Sequence, residues 1–128
     1  MKSGLELPDS RVSNVEVVDG VVAIYFSNAN IHKSRGTPGK DEGSEWAQEA
    51  RLVLSEVDAD FELPSLPATV ADGYLEIGGI RHTVIPLPFK RKVAGRLFLT
   101  FMDGRELEIV GQRPYIELGG RPIQVGAA

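Results

Sequence analysis

The stretch RLFLTFMDGRELEIV, residues 96–110, decides the fold that this sequence predicts. Apolar residues alternate with other residues on both sides of a central Asp-Gly pair, and they are Leu97, Leu99, Phe101, Leu107 and Ile109. Successive side chains of a β-strand point to opposite faces of the sheet, so these side chains would share one buried face. An Asp-Gly pair accepts the positive φ angles of a tight turn. The stretch therefore predicts an antiparallel hairpin with its apolar face in the core.

Turn dipeptides of the same kind recur along the chain. Asp-Gly or Gly-Gly pairs, each beside alternating apolar residues, stand at residues 19–20, 72–73, 78–79, 103–104 and 119–120. Short strands separated by such turns indicate a mainly β protein. We predict a single β-domain over residues 1–128, folded as an antiparallel β-sandwich or a partly closed β-barrel of about eight to ten short hairpin-connected strands.

A six-residue phrase occurs twice, as YLEIGG at residues 74–79 and as YIELGG at residues 115–120. In both copies the aliphatic residues fall on one strand face, and tyrosine and glutamate fall on the other. A glycine pair with no helix after it lacks the helix N-terminus that attracts phosphate in nucleotide-binding loops. We therefore interpret the phrase as scaffold used twice, and we predict equivalent hairpin turns at its two glycine pairs.

One segment admits two structures, and it is SEWAQEARLVLSEV, residues 44–57. Its apolar residues follow helical spacing, and Ser44 is placed to cap the N-terminus of a helix over residues 44–55. Read as a strand, the segment instead puts Trp46, Ala50 and Leu52 on one face. The periodicity favours the helix and the β-rich surroundings favour the strand, so both stay open. The fold would then contain at most one short helix.

The composition is typical of a globular protein. Of 128 residues, 42% are hydrophobic and 25% are charged, which is enough apolar material for a core. The net charge of −4 argues against a nucleic-acid partner, whose phosphates are bound mainly by cations. The absence of cysteine excludes disulfides and thiolate metal sites. The N-terminal residues lack the apolar stretch of a signal peptide, and no run approaches the ~20 apolar residues of a membrane span, so we expect a soluble, cytoplasmic protein.

Two charged stretches depart from the alternating pattern. HKSRGTPGKDEG, residues 32–43, is the longest run without periodicity, and irregular loops often hold binding residues. FKRKVAGR, residues 89–96, is the one concentration of positive charge in an acidic chain. We predict that a macromolecular partner is recognised through one of these stretches, whose candidate binding residues are His32, Lys33, Arg35, Lys90, Arg91, Lys92 and Arg96.

Residues with catalytic or metal-binding chemistry are few. His32 stands where a predicted strand passes into the long loop, and it could serve as an acid, a base or a metal ligand together with Glu45 or Glu49. The segment EVDADFE carries three carboxylates that could bind a hard cation from one strand face, and they are Asp58, Asp60 and Glu62. They lack the spacing of an EF-hand, and we interpret them as a solvated acidic edge. The sequence therefore predicts neither a metal site nor a cofactor.

These features favour a non-catalytic binding or protein-interaction module, whose partner is a protein of unknown identity. An exposed sheet edge would also allow homo-oligomers. One alternative is a small-ligand-binding β-barrel with a cavity lined by Tyr25, Trp46 and Phe98. The other alternative is a small enzyme that uses His32 with a nearby carboxylate. A filled interior would disfavour the first alternative, and a His32 remote from any carboxylate or cleft would disfavour the second.

Overall fold

A computed structural model describes residues 1–58 and 61–127 of the chain. These residues form strands and no helix, and the strands are β1 (Lys2–Val18), β2 (Val21–Ser34), β3 (Gly43–Ser55), β4 (Ala68–Ile77), β5 (Ile80–His82), β6 (Val84–Leu87), β7 (Ala94–Phe101) and β8 (Glu106–Ala127). Within the described part of the chain, no helix is long and apolar enough to cross a membrane.

The eight strands form one antiparallel sheet that closes on itself. The hydrogen-bonded order is β5-β4-β7-β8-β3-β2-β1-β6, and β4 also pairs with β1. This closing contact consists of two residue pairs, Arg11 with Thr69 and Val12 with Ala68. Six strands thereby complete a ring, while β6 pairs with the N-terminal part of β1 and β5 pairs with the C-terminal part of β4. The predicted antiparallel β-fold is confirmed, and its ring of hydrogen bonds is consistent with a partly closed barrel or a sandwich.

One apolar cluster fills the interior of the ring. The hairpin of residues 96–110 contributes five buried side chains, each at most 2% exposed, and they are Leu97, Leu99, Phe101, Leu107 and Ile109. Leu97 lies opposite Ile109 and Leu99 lies opposite Leu107, so the two strands meet in the predicted register. The intervening side chains, such as Arg96 and Glu108, are exposed. The alternation in the sequence therefore marks the inner and outer faces of this part of the sheet.

The segment with two predicted structures is a strand, because β3 covers Gly43–Ser55 and the helix over residues 44–55 does not form. Both edges of β3 are paired, one with β2 and the other with β8. Ala50, Leu52 and Leu54 turn the same face into the core. A helix at this place would leave two neighbouring strands with unpaired backbone groups, which costs more than the helical spacing gains.

Three of the five turn dipeptides form hairpins. Asp19-Gly20 joins β1 to β2, Gly78-Gly79 joins β4 to β5, and Asp103-Gly104 lies between β7 and β8. Positive φ occurs in each pair, as the prediction required.

The other two turn dipeptides lie inside strands, so the prediction of a hairpin turn was wrong for Asp72-Gly73 and for Gly119-Gly120. Asp72-Gly73 lies beside a break in the register between β4 and β7, which falls between Val70 and Asp72. Gly119-Gly120 lies beside a break in the register between β8 and β3, which falls between Ala47 and Glu49 of β3. In β8 the register break accommodates extra residues, and Gly120 has a φ of 66°. Glycine at these places bends a continuous strand, as in a β-bulge, so the two copies of the six-residue phrase are not equivalent.

Replacing Phe101 by Ala should lower the free energy of unfolding by about 3–5 kcal/mol, because the substitution removes a ring from the filled core. The side chain is 1% exposed, whereas that of its neighbour Met102 is 61% exposed. Met102→Ala is therefore the matched control, and urea unfolding of both variants measures the difference. An equal, small effect in the two variants would show that residues 96–110 do not face the core as described.

Candidate functional site

Three adjacent strands bring Glu6, His32 and Glu45 together on the outer face of the sheet. His32 of β2 lies opposite Gly4 of β1 on one side and opposite Glu45 of β3 on the other. Their neighbours in sequence, such as Leu5 and Ile31, point into the core, so the three polar side chains point outward. We call Glu6, His32 and Glu45 the carboxylate–histidine cluster.

The polar atoms of the cluster converge on one point. One potential ligand atom from each residue lies within 4.8 Å of those of the other two. Glu6 Oε1, His32 Nε2 and Glu45 Oε2 are buried and form no hydrogen bond, and they are the only such side-chain atoms in residues 1–58 and 61–127. Buried polar atoms nearly always have a partner, so three unpaired atoms in one place mark this cluster as unusual.

His32 is buried and the two glutamates are half-buried although the cluster lies on the outer face, because residues 35–42 fold back over His32. We call these residues the covering loop. The backbone N–H of Gly39 donates a hydrogen bond to His32 Nδ1. At the base of the loop, the Ser34 hydroxyl donates to the carbonyl of Glu42 at 2.7 Å and accepts from the N–H of Gly36 at 3.0 Å. Under this loop His32 is only 2% exposed.

Small residues allow the covering loop to lie this close to the sheet. Gly39 has a φ of 85°, and a Cβ atom at this position would lie 2.6 Å from Val84 Cγ2. A Cβ atom on Gly4 would lie 3.0 Å from Pro38 Cβ. Any side chain at either position would push the loop away from the sheet, so these glycines are needed for the closed loop.

A bulge in β1 fixes the backbone beside Glu6. Register with β2 is lost between Glu6 and Arg11, where Asp9 has a φ of 68°. The buried Ser10 hydroxyl donates to the carbonyl of Glu6 at 2.7 Å and accepts from the N–H of Asn30 at 2.9 Å. One hydroxyl thereby replaces the strand pairing that the bulge removes, and Glu6 keeps its outward direction.

The electrostatics of the cluster favour a protonated Glu6. Burial is the largest cause, and together with the neighbouring carboxylate of Glu45, to which a protonated Glu6 can donate, it raises the pKa of Glu6 to about 7. His32 acts in the opposite direction, and no lysine or arginine forms a salt bridge with either glutamate in the part of the chain that the structure describes. Glu6 therefore binds a proton more readily in this site than it does in the unfolded chain.

The structure brings together some of the residues that the sequence singled out. His32 and Glu45 are neighbours, as the prediction allowed, whereas Glu49 is exposed opposite Gly119 and lies outside the cluster. Glu6 was missed, because its sequence signal is only a glutamate between Leu5 and Leu7, and many exposed strand positions look the same. Its proximity to His32 depends on strand register, which one sequence does not reveal.

The candidate basic residues lie at separate places. The Lys33 ammonium lies 4.3 Å from the centre of the Trp46 ring, and Arg35 is exposed on the covering loop. Arg96 lies on β7 opposite Glu76 of β4, whereas Lys90 lies opposite Tyr115 of β8. No salt bridge involves any of the candidate basic residues in the described ranges.

Residues 90–92, which we call the basic segment, are exposed yet held in place. The N–H of Arg91 donates to the carbonyl of Pro114, and the N–H of Ile116 donates to the carbonyl of Phe89, each at 3.0 Å. The Arg91 guanidinium lies 4.8 Å from the centre of the Phe89 ring. Beside the segment runs an open groove of about 450 Å³, lined by Pro88, Phe89, Lys90, Arg91, Tyr115, Ile116 and Glu117.

The structure describes two of the three candidate carboxylate ligands of residues 58–62. Asp58 and Glu62 are exposed and belong to no cluster of three metal-ligating side chains, and Asp60 lies outside the described residues.

We find no protein-family model, curated protein or solved structure that matches this chain. Inference of function therefore depends on the geometry of these surfaces and of the cluster.

The raised pKa of Glu6 predicts that stability falls as pH rises. The ordinary pKa of the side chain is 4.5 and its pKa in the fold is about 7, so the folded chain binds more protons than the unfolded chain between these values. The free energy of unfolding should decrease from pH 4.5 towards pH 7 and then level off. Glu6→Gln, which carries no charge, should flatten this dependence in urea unfolding carried out in metal-free buffer.

The control for this prediction is Glu108→Gln, a change at an exposed glutamate outside the cluster. This variant should keep the pH dependence of the unmodified chain. If Glu6→Gln and Glu108→Gln show the same dependence, Glu6 does not hold an extra proton in the fold.

Proposed function

We propose that this chain is a non-catalytic binding module that recognises an acidic segment of a protein partner. The observation that carries the proposal is the basic segment. Its three cations have no salt-bridge partner in the described residues, and backbone hydrogen bonds to β8 hold them beside an open groove. A surface that is already ordered loses little conformational entropy when a partner binds.

The chemistry of the groove supports an acidic peptide as the ligand. Its floor contains rings and aliphatic carbons from Phe89, Tyr115 and Ile116, and its rim carries Lys90 and Arg91. The acidic group at the rim, Glu117, is 2.8 Å from Arg51, so a cation outside the groove already balances its charge. Apolar side chains of a peptide can then contact the floor while its carboxylates approach the cations.

The packed interior argues against a small-ligand barrel. The apolar cluster fills the ring, and the three residues expected around a cavity do not face one space. Tyr25 lines an outer groove, and Phe98 stacks on Tyr74 with ring centres 5.5 Å apart. Trp46 packs against the apolar cluster.

The covered position of His32 supports a non-catalytic role. His32 does lie beside two carboxylates, as the enzyme hypothesis requires. However, the ring is 2% exposed under the covering loop, so a substrate has no access to it in this conformation. General acid–base catalysis requires the reacting group to come within hydrogen-bond distance of the imidazole.

Reversing the charges of the basic segment should weaken the binding of an acidic peptide. The probe is a dye-labelled peptide of alternating glutamate and leucine, and fluorescence anisotropy measures its affinity. K90E/R91E/K92E should weaken binding roughly tenfold or more, and added salt should weaken binding to the unmodified chain, because the attraction is between exposed charges. The melting temperature should stay nearly unchanged, since exposed charges contribute little to stability.

The matched control is K2E/K40E/R121E, which makes the same change in net charge at three exposed residues elsewhere. Equal losses in the two triple variants would show that net charge, rather than the basic segment, attracts the peptide. Equal retention in both would place recognition on another surface. In that case, a concentration-dependent mass by light scattering would favour self-association through a sheet edge such as β5.

A further inference from the structure

We propose that Glu6, His32 and Glu45 form a binding site for a divalent cation of the zinc class, and that this cation competes with the covering loop for His32. The proposal is independent of peptide recognition by the basic segment.

The donor atoms of the cluster suit such a cation in kind and in position. Two carboxylate oxygens and one imidazole nitrogen, all within 4.8 Å of one another, come from three adjacent strands of one sheet. Zinc bonds to nitrogen and oxygen are about 2.0–2.2 Å long, so its ligand atoms lie about 3–4 Å apart. Small rotations of the side chains close the remaining difference. Three protein ligands then leave one position of a tetrahedron for water.

The unpaired atoms are an independent sign of a ligand. His32 is 2% exposed, and its Nε2 is buried and forms no hydrogen bond. Glu6 Oε1 and Glu45 Oε2 are buried and unpaired in the same place. A buried carboxylate without a cationic partner is costly, and a bound divalent cation would satisfy all three atoms at once.

The donor set selects the class of cation. Calcium takes six to eight oxygen ligands and magnesium requires an octahedron that is largely oxygen and water. A site with one imidazole and two carboxylates matches the borderline ions such as zinc, which accept nitrogen and need only four ligands. We therefore expect zinc to bind and magnesium and calcium to bind far more weakly.

The hydrogen bond from Gly39 sets the condition under which the cation can bind. Because His32 Nδ1 accepts the Gly39 N–H, the neutral ring carries its own proton on Nε2. A protonated Nε2 cannot ligate a metal. Ligation requires that Nε2 lose its proton and that Nδ1 take one up, after which the Nδ1–H would face the Gly39 N–H. Two donors then oppose each other, so the cation and the closed loop exclude each other.

Release of Gly39 frees the middle of the covering loop. The hydrogen bonds of Ser34 hold only the two ends of the loop, at Gly36 and Glu42. Pro38, next to Gly39, lines a groove of about 340 Å³ together with Val84, Pro86 and Leu87. Lifting the middle of the loop would remove one wall of this groove. Cation binding is thereby coupled to a change in the surface beside β6.

The first experiment measures zinc binding to the full chain by isothermal titration calorimetry. We expect one zinc ion per chain, and we expect Glu6→Gln, His32→Gln and Glu45→Gln each to weaken binding at least tenfold, as loss of a ligand does. Glu49→Gln is the matched control, because Glu49 is exposed on the same strand as Glu45 and lies outside the cluster. Absence of zinc binding, an equal loss with Glu49→Gln, or equal binding of magnesium would overturn the cation site.

The second experiment tests the competition with Gly39→Ala. This change touches no donor atom, but its Cβ atom would lie 2.6 Å from Val84 Cγ2 at a φ of 85°, so it disfavours the closed position of the loop in which Gly39 donates to His32. With the competitor removed, zinc should bind several-fold more tightly. Ser34→Ala, which removes the hydrogen bonds at the ends of the loop, is a second variant with the same expected direction.

Hydrogen exchange gives the readout that a simple preformed site would not produce. Zinc should speed amide exchange at Gly39 and slow it at His32 and Glu45, which lie in the strands that hold the ion. Unchanged or weaker zinc affinity in both loop variants, or slower exchange at Gly39, would overturn the competition even if the cation site itself were established.

Discussion

The closing contact between β1 and β4 is the constraint on which the rest of this structure depends. Only two residue pairs make it, Arg11 with Thr69 and Val12 with Ala68. Without it the sheet would be open, and the apolar side chains on its concave face would meet water. With it, Val12, Val70 and Leu75 join one cluster with the side chains of the opposite strands. A short pairing therefore turns a flat amphipathic sheet into a protein with an interior.

Such a closure requires strands that bend, and irregular positions provide the bends. β1 loses its register with β2 beside Glu6, and β8 loses its register with β3 beside Gly120. Bulges increase local twist and allow one long strand to follow the curve of a ring. The bulge in β1 has a second effect, because it lies directly beside the carboxylate–histidine cluster. The curvature that closes the ring and the placement of Glu6 thus share one structural cause.

Local patterns in the sequence predicted those parts of the fold that local interactions control. The hairpin of residues 96–110 was predicted in register because both strands and their turn lie within fifteen residues. The structure of β3 could not be chosen, because its partners β2 and β8 decide it and β8 lies more than fifty residues away. The glycines at 119–120 were misassigned for a similar reason, since a turn and a bulge use the same residue type. Sequence can propose such positions but cannot say which strand lies opposite.

The candidate site could likewise be predicted from the sequence only in part. His32 was recognised as a candidate because histidine is rare and chemically versatile, and Glu45 was named as one of two carboxylates that could accompany it. Glu6 was not recognised, because it meets His32 only after β1 and β2 pair with a particular register and a covering loop removes water. The basic segment was recognisable from composition alone. Its groove was not, because Tyr115 and Ile116 come from a strand that is distant in sequence.

The closing contact between β1 and β4 also affects how this protein folds during its synthesis on the ribosome. β1 emerges first, but two of its partners, β4 and β6, emerge much later, and β8 must still fill the place between β3 and β7. Until β4, β6 and β8 have been synthesised, the nascent β1–β2–β3 meander exposes its apolar face and its unpaired strand edges. Non-local pairing of this kind folds slowly and is prone to association during synthesis. The time for which the first three strands stay exposed is therefore set by how soon the later strands arrive.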